Sequence, residues 1–508
     1  MKKTINVTIN RQTANFREES FVVPHELNTI YIKVEMPEEC RYMSFLFLKD
    51  EKGEIRLQKL LGFGEQNLAV GNDGEHTSIG GVAGSIRPGE WKLGIGIFTE
   101  YVCQRLGEKE TSMQITLTDE PEKNTEPNTE PITEPIGSWT WMEEGFRISP
   151  EKYHWEKQYQ TGAKWYKGDF HTHTRLSDGK ETVRNAMKKA KDMEMDFYVP
   201  TEHNLMHTGW CDTELCILPG IEITTDMGHF NLFGITEMPE KLLELVMYNG
   251  KPQMGQYVEE TIQEAKRKGW IVSLNHPFLT IWQWRYGKTS LKDFQCVEII
   301  NDPTYQEARG SNDKAIRFLD AIWEDGHRIW GVGGSDAHNL IEERYEGADL
   351  PSIAGDPGTY VFCDNLSPAS LMEQVKKGHI CVTRFCRILP EITVDGRKYL
   401  PGEKIPVPEQ TENRQVLYEA EISGLEEEPE VFVVKNGQHF QARVFVNEAG
   451  NYCIREQVTL DRQGWNWVRL EVRKKNGDFL GYVNPVSCGH PEPNCKTVQE
   501  IWEKMGER

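Results

Sequence analysis

The sequence predicts a mixed α/β protein. An α/β domain built on a parallel sheet, open or closed into a barrel, is expected between two β-sandwich domains. Three observations give this prediction. Short runs of alternating polar and apolar residues fill 1–118 and 390–508, strand-like and helix-like patterns alternate over 160–389, and candidate metal ligands gather in that central segment. A chain of 508 residues can bury the cores of about two to four such domains.

Residues 1–118 consist of short strand-like runs separated by Gly, Pro, Asn and Asp. The segments 5–9, 29–34, 43–48 and 89–98 have the spacing of antiparallel strands, and we expect no helix of useful length. This pattern is typical of a β-sandwich and indicates no chemistry.

Residues 119–138 form an acidic linker in which Thr-Glu-Pro recurs every four residues from Thr125. The prolines prevent a helix and the acidic side chains keep the segment solvated, so we expect an extended, semi-rigid spacer. A ligand for a proline-binding groove is the alternative interpretation.

The central segment, 160–389, repeats a strand followed by a helix. Apolar residues at helical spacing predict helices near 183–193, 254–268, 313–323 and 366–377, with hydrophobic strands between them. Repeated units of this size imply a parallel sheet. Each candidate ligand lies at or just after the C-terminal end of a strand, which is where barrel enzymes keep their catalytic residues.

After Pro390 the helical pattern ends. Runs such as 430–434 and 465–472 predict a second β-sandwich over 390–508, with a short closing helix at 497–505.

Composition limits the partners and the location of the protein. A formal net charge of −21 and a pI near 5.2 argue against nucleic acid as a partner, because phosphate backbones require a basic face. The 11 cysteines include no Cys-x-x-Cys pair, which indicates free thiols in a reducing compartment. The N-terminus lacks the apolar core of a signal peptide, and no apolar run approaches the roughly 20 residues that cross a bilayer. We expect a cytoplasmic protein with no membrane partner.

The strongest chemical signal begins at His171-Thr-His173, directly after a short strand. Residues two apart in an extended segment point to the same side, so both imidazoles can reach one ion. Asp178 follows, beside a glycine that permits the chain to turn back. Further imidazoles and carboxylates occur near the ends of later hydrophobic runs: Glu202, His203, Glu222, His229, His276, Asp336 and His338.

Mixed imidazole and carboxylate donors suit zinc, manganese or iron(II) and disfavour calcium, which prefers oxygen throughout. The candidate ligands are too many for one ion and sufficient for two or three. A carboxylate with ligands on both sides, as expected for Glu222, can bridge two ions. Two-metal sites of that kind split phosphate esters with a hydroxide held between the ions as the nucleophile.

Four motifs occur in order: His171-Thr-His173 with Ser177-Asp178-Gly179, Thr201-Glu-His203-Asn204, His276-Pro277, and Gly334-Ser-Asp336-Ala-His338. Together they resemble the motifs of the PHP (polymerase and histidinol phosphatase) superfamily. Pro219-Gly-Ile-Glu222-Ile-Thr and Gly228-His229-Phe-Asn-Leu-Phe-Gly are similar to its CehA/McbA-type metallohydrolase branch. The resemblance covers about residues 165–385. It implies a distorted (β/α)7 barrel with two or three metal ions, which the two β-sandwiches would flank.

The resemblance also implies which residues hold each ion. The first ion would be bound by His171, His173, Glu222 and Asp336, and the second by the bridging Glu222 with His276 and His229. A third would be bound by Asp178, His203 and His338, although some relatives have histidine where this chain has Asp178. Asp336, as a ligand beside the nucleophilic water, is the candidate catalytic residue that accepts its proton.

Three other residues are candidates for contact with the substrate. Arg175 and Arg384 follow strand ends near the site and could clamp a substrate anion, and each could equally be a solvated arginine. Trp282 lies just after His276-Pro277 and could form part of an aromatic wall over the metals, or it could pack its own loop down.

Several other polar residues of the chain are expected to have no direct chemical role. Glu202 alternates with His203 along a strand and should be a supporting or surface group. The remaining histidines that we expect to be ordinary surface or packing residues are His154, His207, His327 and His379.

The sequence therefore predicts a metal-dependent hydrolase, foremost a phosphoesterase acting on a small anionic substrate. Hydrolysis of a carbamate, ester or amide is the first alternative, because the same hydroxide serves either electrophile. A carbohydrate- or protein-binding scaffold without catalysis is the second. The flanking sandwiches could cover the barrel mouth or form an oligomer contact.

Overall fold

The computed structural model describes residues 1–62, 66–107, 109–121, 137–138, 153–407, 413–461 and 464–506. It is a mixed α/β structure in which strands predominate over helices and belong to several separate sheets.

The N-terminal region contains two four-stranded antiparallel sheets. The first has the order β1 (Lys2–Ile9), β8 (Thr111–Thr118), β3 (Thr29–Glu35), β6 (Gln66–Gly71), and the second has the order β2 (Phe16–Val23), β7 (Gly89–Ile97), β4 (Ser44–Lys49), β5 (Ile55–Leu60). Buried side chains from both sheets, such as Ile32 and Leu48, belong to one hydrophobic cluster. Alternation along each strand sends apolar residues to that shared face.

The expectation that this region has no useful helix was wrong. Helix α1 spans Thr99–Leu106 and buries Val102 and Leu106 against the same cluster. A helix of eight residues shows too few turns for its periodicity to stand out among strands. Of the expected acidic linker, residues 122–136 lie outside the described residues.

The central region contains a five-stranded sheet that positions most of the candidate ligands. Its order is β14 (Gly220–Thr225), β15 (Gly228–Phe233), β16 (Ile271–Leu274), β17 (Cys296–Asn301), β18 (Trp330–Gly334). β16, β17 and β18 run parallel, and helix α5 (Ala308–Glu324) connects the last two. The other central helices are α2 (Val183–Asp192), α3 (Leu242–Met247), α4 (Met254–Lys268) and α6 (Pro368–Lys377). The predicted helix at 254–268 is confirmed, with Gly269 in the left-handed conformation that ends it.

A second large sheet joins the central region to the C-terminal region. Its order is β10 (Gln160–Gly168), β19 (Gly358–Leu366), β20 (Ile380–Thr383), β30 (Phe479–Cys488), β29 (Asn466–Arg473), β25 (Glu430–Lys435), β26 (Gln438–Gln441), with β23 (Lys404–Ile405) beside β30. β20 pairs antiparallel with β30 at Cys381 and Val483. This sheet therefore crosses the boundary that the sequence placed between residues 389 and 390.

The remaining strands form smaller sheets. One five-stranded sheet has the order β22 (Arg397–Tyr399), β21 (Arg387–Val394), β24 (Arg414–Ser423), β28 (Tyr452–Leu460), β27 (Val444–Val446). Two short pairs join β11 (Phe197–Tyr198) to β13 (Cys216–Ile217) and β12 (Gly209–Trp210) to β9 (Gly137–Ser138). The closing helix α7 spans Val498–Met505, begins with a capping box at Thr497, and packs on α5.

Strand pairing among the described residues does not close into the expected barrel. β15 runs antiparallel to both β14 and β16: a hairpin joins β14 to β15, and helices α3 and α4 lie in the connection from β15 to β16. β10 lies in the other large sheet, antiparallel to β19. Strand partners are chosen by contacts between residues far apart in the chain, and hydrophobic periodicity does not record those contacts.

None of the helices in the described ranges has both the length and the apolar character needed to cross a bilayer.

Candidate metal centre

His171 and His173 direct their imidazoles at the same two carboxylates. The Nε2 atom of His171 lies 3.3 Å from Glu222 Oε1 and 3.3 Å from Asp336 Oδ1. The Nε2 atom of His173 lies 2.9 Å from Asp336 Oδ1 and 3.7 Å from Glu222 Oε2. The His171–His173 pair follows β10 and Asp336 follows β18, whereas Glu222 lies within β14 and not at its end. The two-residue spacing thus places both rings on one side, as the sequence indicated.

Glu222 is the centre of the cluster. It lies on β14, is fully buried, and has three further imidazoles around its carboxylate. The Nδ1 atoms of His203 and His229 lie 2.7 Å and 3.1 Å from its two oxygens, and His276 Nε2 lies 3.5 Å from Oε1. Asn275 also donates a hydrogen bond to Oε1 at 3.0 Å. This is the arrangement expected of a carboxylate shared between two ions.

A third group surrounds Asp178. Its Oδ1 atom lies 3.5 Å from His203 Nε2 and 3.3 Å from His338 Nε2. The ring of His173 stacks on each of those two histidines, with centroid distances of 4.4 Å to His203 and 4.1 Å to His338. His338 Nδ1 contacts the Asp336 carbonyl oxygen at 2.7 Å, which fixes the ring with Nε2 facing Asp178.

The backbone at the strand ends brings these side chains together. His276 follows β16 with φ +24° and Asp336 follows β18 with φ +50°, conformations that L-residues rarely adopt. Gly334 ends β18 at a point where a Cβ atom would lie 2.2 Å from the His171 Cβ atom, so only glycine fits there. The close approach of β18 to the His171 segment carries Asp336 to the imidazoles.

The donor atoms of this cluster suit metal ions. Four overlapping groups have ligand atoms within 4.8 Å of one another: His171–His173–Glu222, Glu222–His229–His276, His173–Asp178–His203–His338, and His171–His276–Glu298. Within the described part of the chain, five buried atoms of these groups and one of the adjacent Asp336 lack a hydrogen-bond partner: Nε2 of His171 and His173, Nδ1 of His276, Oδ1 of Asp178, Oε2 of Glu222, and Oδ1 of Asp336. An unsatisfied buried polar atom costs about 1–3 kcal/mol, so bound metal ions would account for the concentration of such atoms here.

Electrostatics favours the metal-binding protonation states of Glu222 and His173. Neighbouring carboxylates instead raise the pKa of His171, His203 and His338, so a metal would have to displace protons from those imidazoles. Burial alone would raise the pKa of Glu222, but the charges of His171 and His203 outweigh it and hold that pKa well below the usual range. Burial lowers the pKa of His173 to about 4, and the charge of His338 acts in the same direction. An ionised carboxylate and a neutral imidazole are the forms in which these side chains act as ligands.

Glu298 belongs to the cluster, and the sequence analysis missed it. It lies on β17, is buried, and its Oε1 atom contacts His171 Nδ1 at 2.9 Å. Its Oε2 atom accepts a hydrogen bond from the backbone N–H of His276 at 2.9 Å. The available signal was a carboxylate inside the apolar run 297–300, where a lone charge needs a partner.

Replacing Glu298 by glutamine is expected to weaken metal binding by about 10- to 100-fold, because the carboxylate orients the His171 ring and increases its basicity. Titration of metal-free protein against a chromogenic chelator measures this affinity. Glu307→Gln, an exposed change just before α5, is the matched control and should have no effect. Equal affinities for Glu298→Gln and the wild-type protein would show that Glu298 does not support the metal site.

Glu202 was expected to be either a supporting group or a surface group, and it is not at the surface. It is fully buried and accepts hydrogen bonds from the hydroxyl groups of Thr174 and Ser177, and His207 Nε2 lies 2.8 Å from its Oε1. It therefore fixes the turn between His173 and Asp178. His207 packs beside it, as expected for a packing histidine.

Of the three expected substrate contacts, only Trp282 lines the cavity at the cluster. This cavity has a volume of about 280 Å³, and its described lining includes no lysine or arginine. Arg175 donates from Nε to the Lys180 carbonyl oxygen at 3.1 Å, and Arg384 forms a two-point ion pair with Asp356 at 2.7 Å and 2.8 Å. The sequence indicates that the backbone of each arginine lies near a strand end, but it does not indicate where the side chain points. Beyond the candidate ligands and Trp282, the cavity is lined by Leu279, Asn301, Asp302, Tyr305 and Tyr345.

Comparisons with known proteins add little. No family model matches the chain, and no curated protein matches it. One similar solved structure is a Bifidobacterium adolescentis protein described as a candidate metal-dependent phosphoesterase. It is 17% identical, the match covers 36% of this chain and 91% of that one, and the TM-score is 0.25. A likeness this weak carries no argument, so the function is inferred from the site itself.

Proposed function

We propose that this chain is a metal-dependent hydrolase, foremost a phosphoesterase, with its catalytic centre around Glu222. The observation that supports this most is the shared position of that carboxylate. The imidazoles of His171, His229 and His276 lie 3.1–3.5 Å from its Oε1 atom, and that of His173 lies 3.7 Å from its Oε2 atom. Neighbouring groups that share one carboxylate are suited to a two-metal site.

The ligand sets proposed for the ions follow the observed groups. His171, His173, Glu222 and Asp336 would hold one ion, Glu222, His229 and His276 a second, and Asp178, His203 and His338 a third. Ions of manganese, iron or zinc in these positions would act as Lewis acids on a phosphoryl oxygen and activate water for attack.

Asp336 is the proposed catalytic residue. Its Oδ2 atom accepts a hydrogen bond from Asn301 Nδ2 at 3.2 Å, which holds the carboxylate at the cavity with Oδ1 toward His171 and His173. A carboxylate fixed in this way can orient an attacking water and accept its proton.

We also propose a PHP-type architecture of the CehA/McbA-like branch. The proposed units are an N-terminal β-sandwich (1–118), a linker (119–138), a catalytic α/β domain (160–389) and a C-terminal β-sandwich (390–508) that shares a sheet with the catalytic domain. The convergence of His171, His173, Glu222 and Asp336, which come from separate motifs of the resemblance, supports this proposal. The proposed setting is the cytoplasm, with a small anionic substrate.

A substrate panel on metal-loaded protein tests the proposal. p-Nitrophenyl phosphate, bis(p-nitrophenyl) phosphate, p-nitrophenyl acetate and an aryl carbamate would be offered after reconstitution with manganese, iron(II) or zinc. We expect turnover of a phosphate ester with at least one metal. Bound metal without turnover of any compound would contradict the enzyme and favour a binding scaffold.

Hydrolysis of a carbamate, ester or amide is the second candidate, and the cavity wall favours it. The described lining includes Trp282, Tyr305 and Tyr345 but no lysine or arginine to bind an anion. Phosphate esters would then depend on the ions alone for charge neutralisation. Turnover of only the acetate or the carbamate in the panel would select this candidate.

Replacing Trp282 by alanine is expected to raise KM about two- to tenfold while the metal content stays unchanged. The indole is 39% exposed and contacts Tyr305 edge-on with ring centroids 6.3 Å apart, so it offers a face to the substrate. Steady-state kinetics on the best substrate of the panel measures the change. Ile281→Ala, at the exposed neighbouring position outside the cavity, is the control; an equal rise in KM for both variants would argue against a substrate contact.

A further inference from the structure

A cavity of about 730 Å³ lies away from the metal centre and is lined by basic side chains. Those side chains are Lys292, Arg328, Lys376, Lys377 and Lys404. Glu403 is the one acidic residue in the described lining. Such a concentration of positive charge is unusual in a chain whose formal net charge is −21.

The cavity lies at the opposite end of the strands from the candidate metal ligands. Its lining includes Gln295, which directly precedes β17, Trp330, which begins β18, and His379, which directly precedes β20. Asp336 of the candidate metal cluster follows the other end of β18 and lies 3.3 Å from His171 Nε2. The two sites therefore occupy opposite edges of the sheets.

Most of these cations have no carboxylate partner in the described part of the chain. Lys377 pairs with Glu373 at 2.5 Å, but Lys292 and Lys404 form no ion pair there. Lys376 Nζ donates to the Gly269 carbonyl oxygen at 2.7 Å, and the Arg328 guanidinium packs 5.2 Å from the centre of the Trp330 ring. Burial lowers the pKa of both Lys376 and Arg328. Positive groups held together with few counter-charges repel one another, and an anion would relieve that repulsion.

Favourable interaction with a helix dipole explains only some of these positive charges. Lys376 and Lys377 lie in the last turn of α6, where the helix dipole favours cations. Lys292, Arg328 and Lys404 come from three other segments, so the dipole of α6 does not explain them. His379 also lines the cavity, is 6% exposed, and its buried Nδ1 atom has no hydrogen-bond partner among the described residues.

We propose that this cavity is a binding site for a small multivalent anion that bears phosphate or carboxylate groups. The lysines supply point charges, and Arg328 supplies a planar donor fork suited to either group. The volume of the cavity falls within the range of sites for small molecules, about 300–1,000 Å³.

Calorimetric titration tests the proposal on the full chain, after its metals are removed with a chelator and the chelator is removed by dialysis. Without metals, the proposed catalytic centre lacks the ions that would bind the probe there, so the test does not depend on the proposed hydrolase function. Pyrophosphate and citrate are the two probes, and they separate phosphate from carboxylate chemistry. We expect binding of at least one of them, weakened by added salt.

Charge reversal locates the site. Lys292→Glu/Lys404→Glu should weaken binding by at least about tenfold, because both exposed positions then repel the anion. Lys2→Glu/Lys188→Glu makes the same charge change at exposed positions elsewhere and should leave the affinity unchanged. Absence of binding to the wild-type protein would overturn the proposal, and so would equal weakening in both variants.

Discussion

Replacement of His171 and Asp336 by alanine together is expected to remove bound metal and to lower kcat/KM by at least about a thousandfold. His171 Nε2 and Asp336 Oδ1 lie 3.3 Å apart and face the same point, and both atoms lack another hydrogen-bond partner in the described residues. Loss of a residue that only supports a ligand costs about 10- to 100-fold, so loss of two proposed ligands should cost more. Plasma mass spectrometry of metal per chain and initial rates on the best substrate measure the two effects.

His154→Ala/Asp192→Ala is the matched control for this double change, since it removes the same side-chain types from exposed positions. It should retain both metal and turnover. Full metal content with unchanged turnover in the His171→Ala/Asp336→Ala protein would mean that the cluster around Glu222 is not the catalytic centre.

Replacement of Arg469 by methionine is expected to lower the free energy of unfolding by about 3–5 kcal/mol, because it breaks a buried ion pair. Arg469 on β29 is fully buried and binds Asp320 of α5 at 2.8 Å and 2.7 Å. Its Nη1 atom lies 2.8 Å from Glu471, and its guanidinium lies 4.6 Å from the centre of the Tyr482 ring. Methionine would leave two buried carboxylates without this cation.

Urea unfolding followed by tryptophan fluorescence measures the change. Arg455→Met provides the comparison, because that arginine is 66% exposed and lies 3.3 Å from Glu419, and its loss should cost less than about 1 kcal/mol. Equal losses for the two variants would show that the Arg469 ion pair does not stabilise the join between α5 and the large sheet.

The candidate site followed from the sequence to a large extent. The alternation of side chains in extended backbone was enough to predict that His171 and His173 point the same way. Positions just after hydrophobic strands were enough to identify His276 and Asp336 as candidate ligands. Glu298 was not predicted as a site residue because its carboxylate lies within an apolar strand. Its role became visible when β17 was placed beside the His171 segment, with Oε1 2.9 Å from the imidazole.

The substrate-facing residues followed from the sequence much less well. Arg175 and Arg384 come near strand ends, yet their guanidinium groups bond to a carbonyl oxygen and to Asp356 rather than facing the cavity. A long side chain can reach partners in several directions, so its position in the chain does not determine its contacts.

By itself, the sequence determined the local features of this protein: helix α4 from its apolar spacing, the strand-rich ends of the chain, and the types of donor atom that gather at strand ends. These depend on residues a few positions apart. Only the tertiary structure decided that β15 pairs antiparallel with its neighbours and that β20 continues into β30 across the expected boundary. The tertiary structure alone also shows that Arg469 joins α5 to the large sheet. Those features depend on burial and pairing between residues far apart in the chain, and local periodicity carries no information about them.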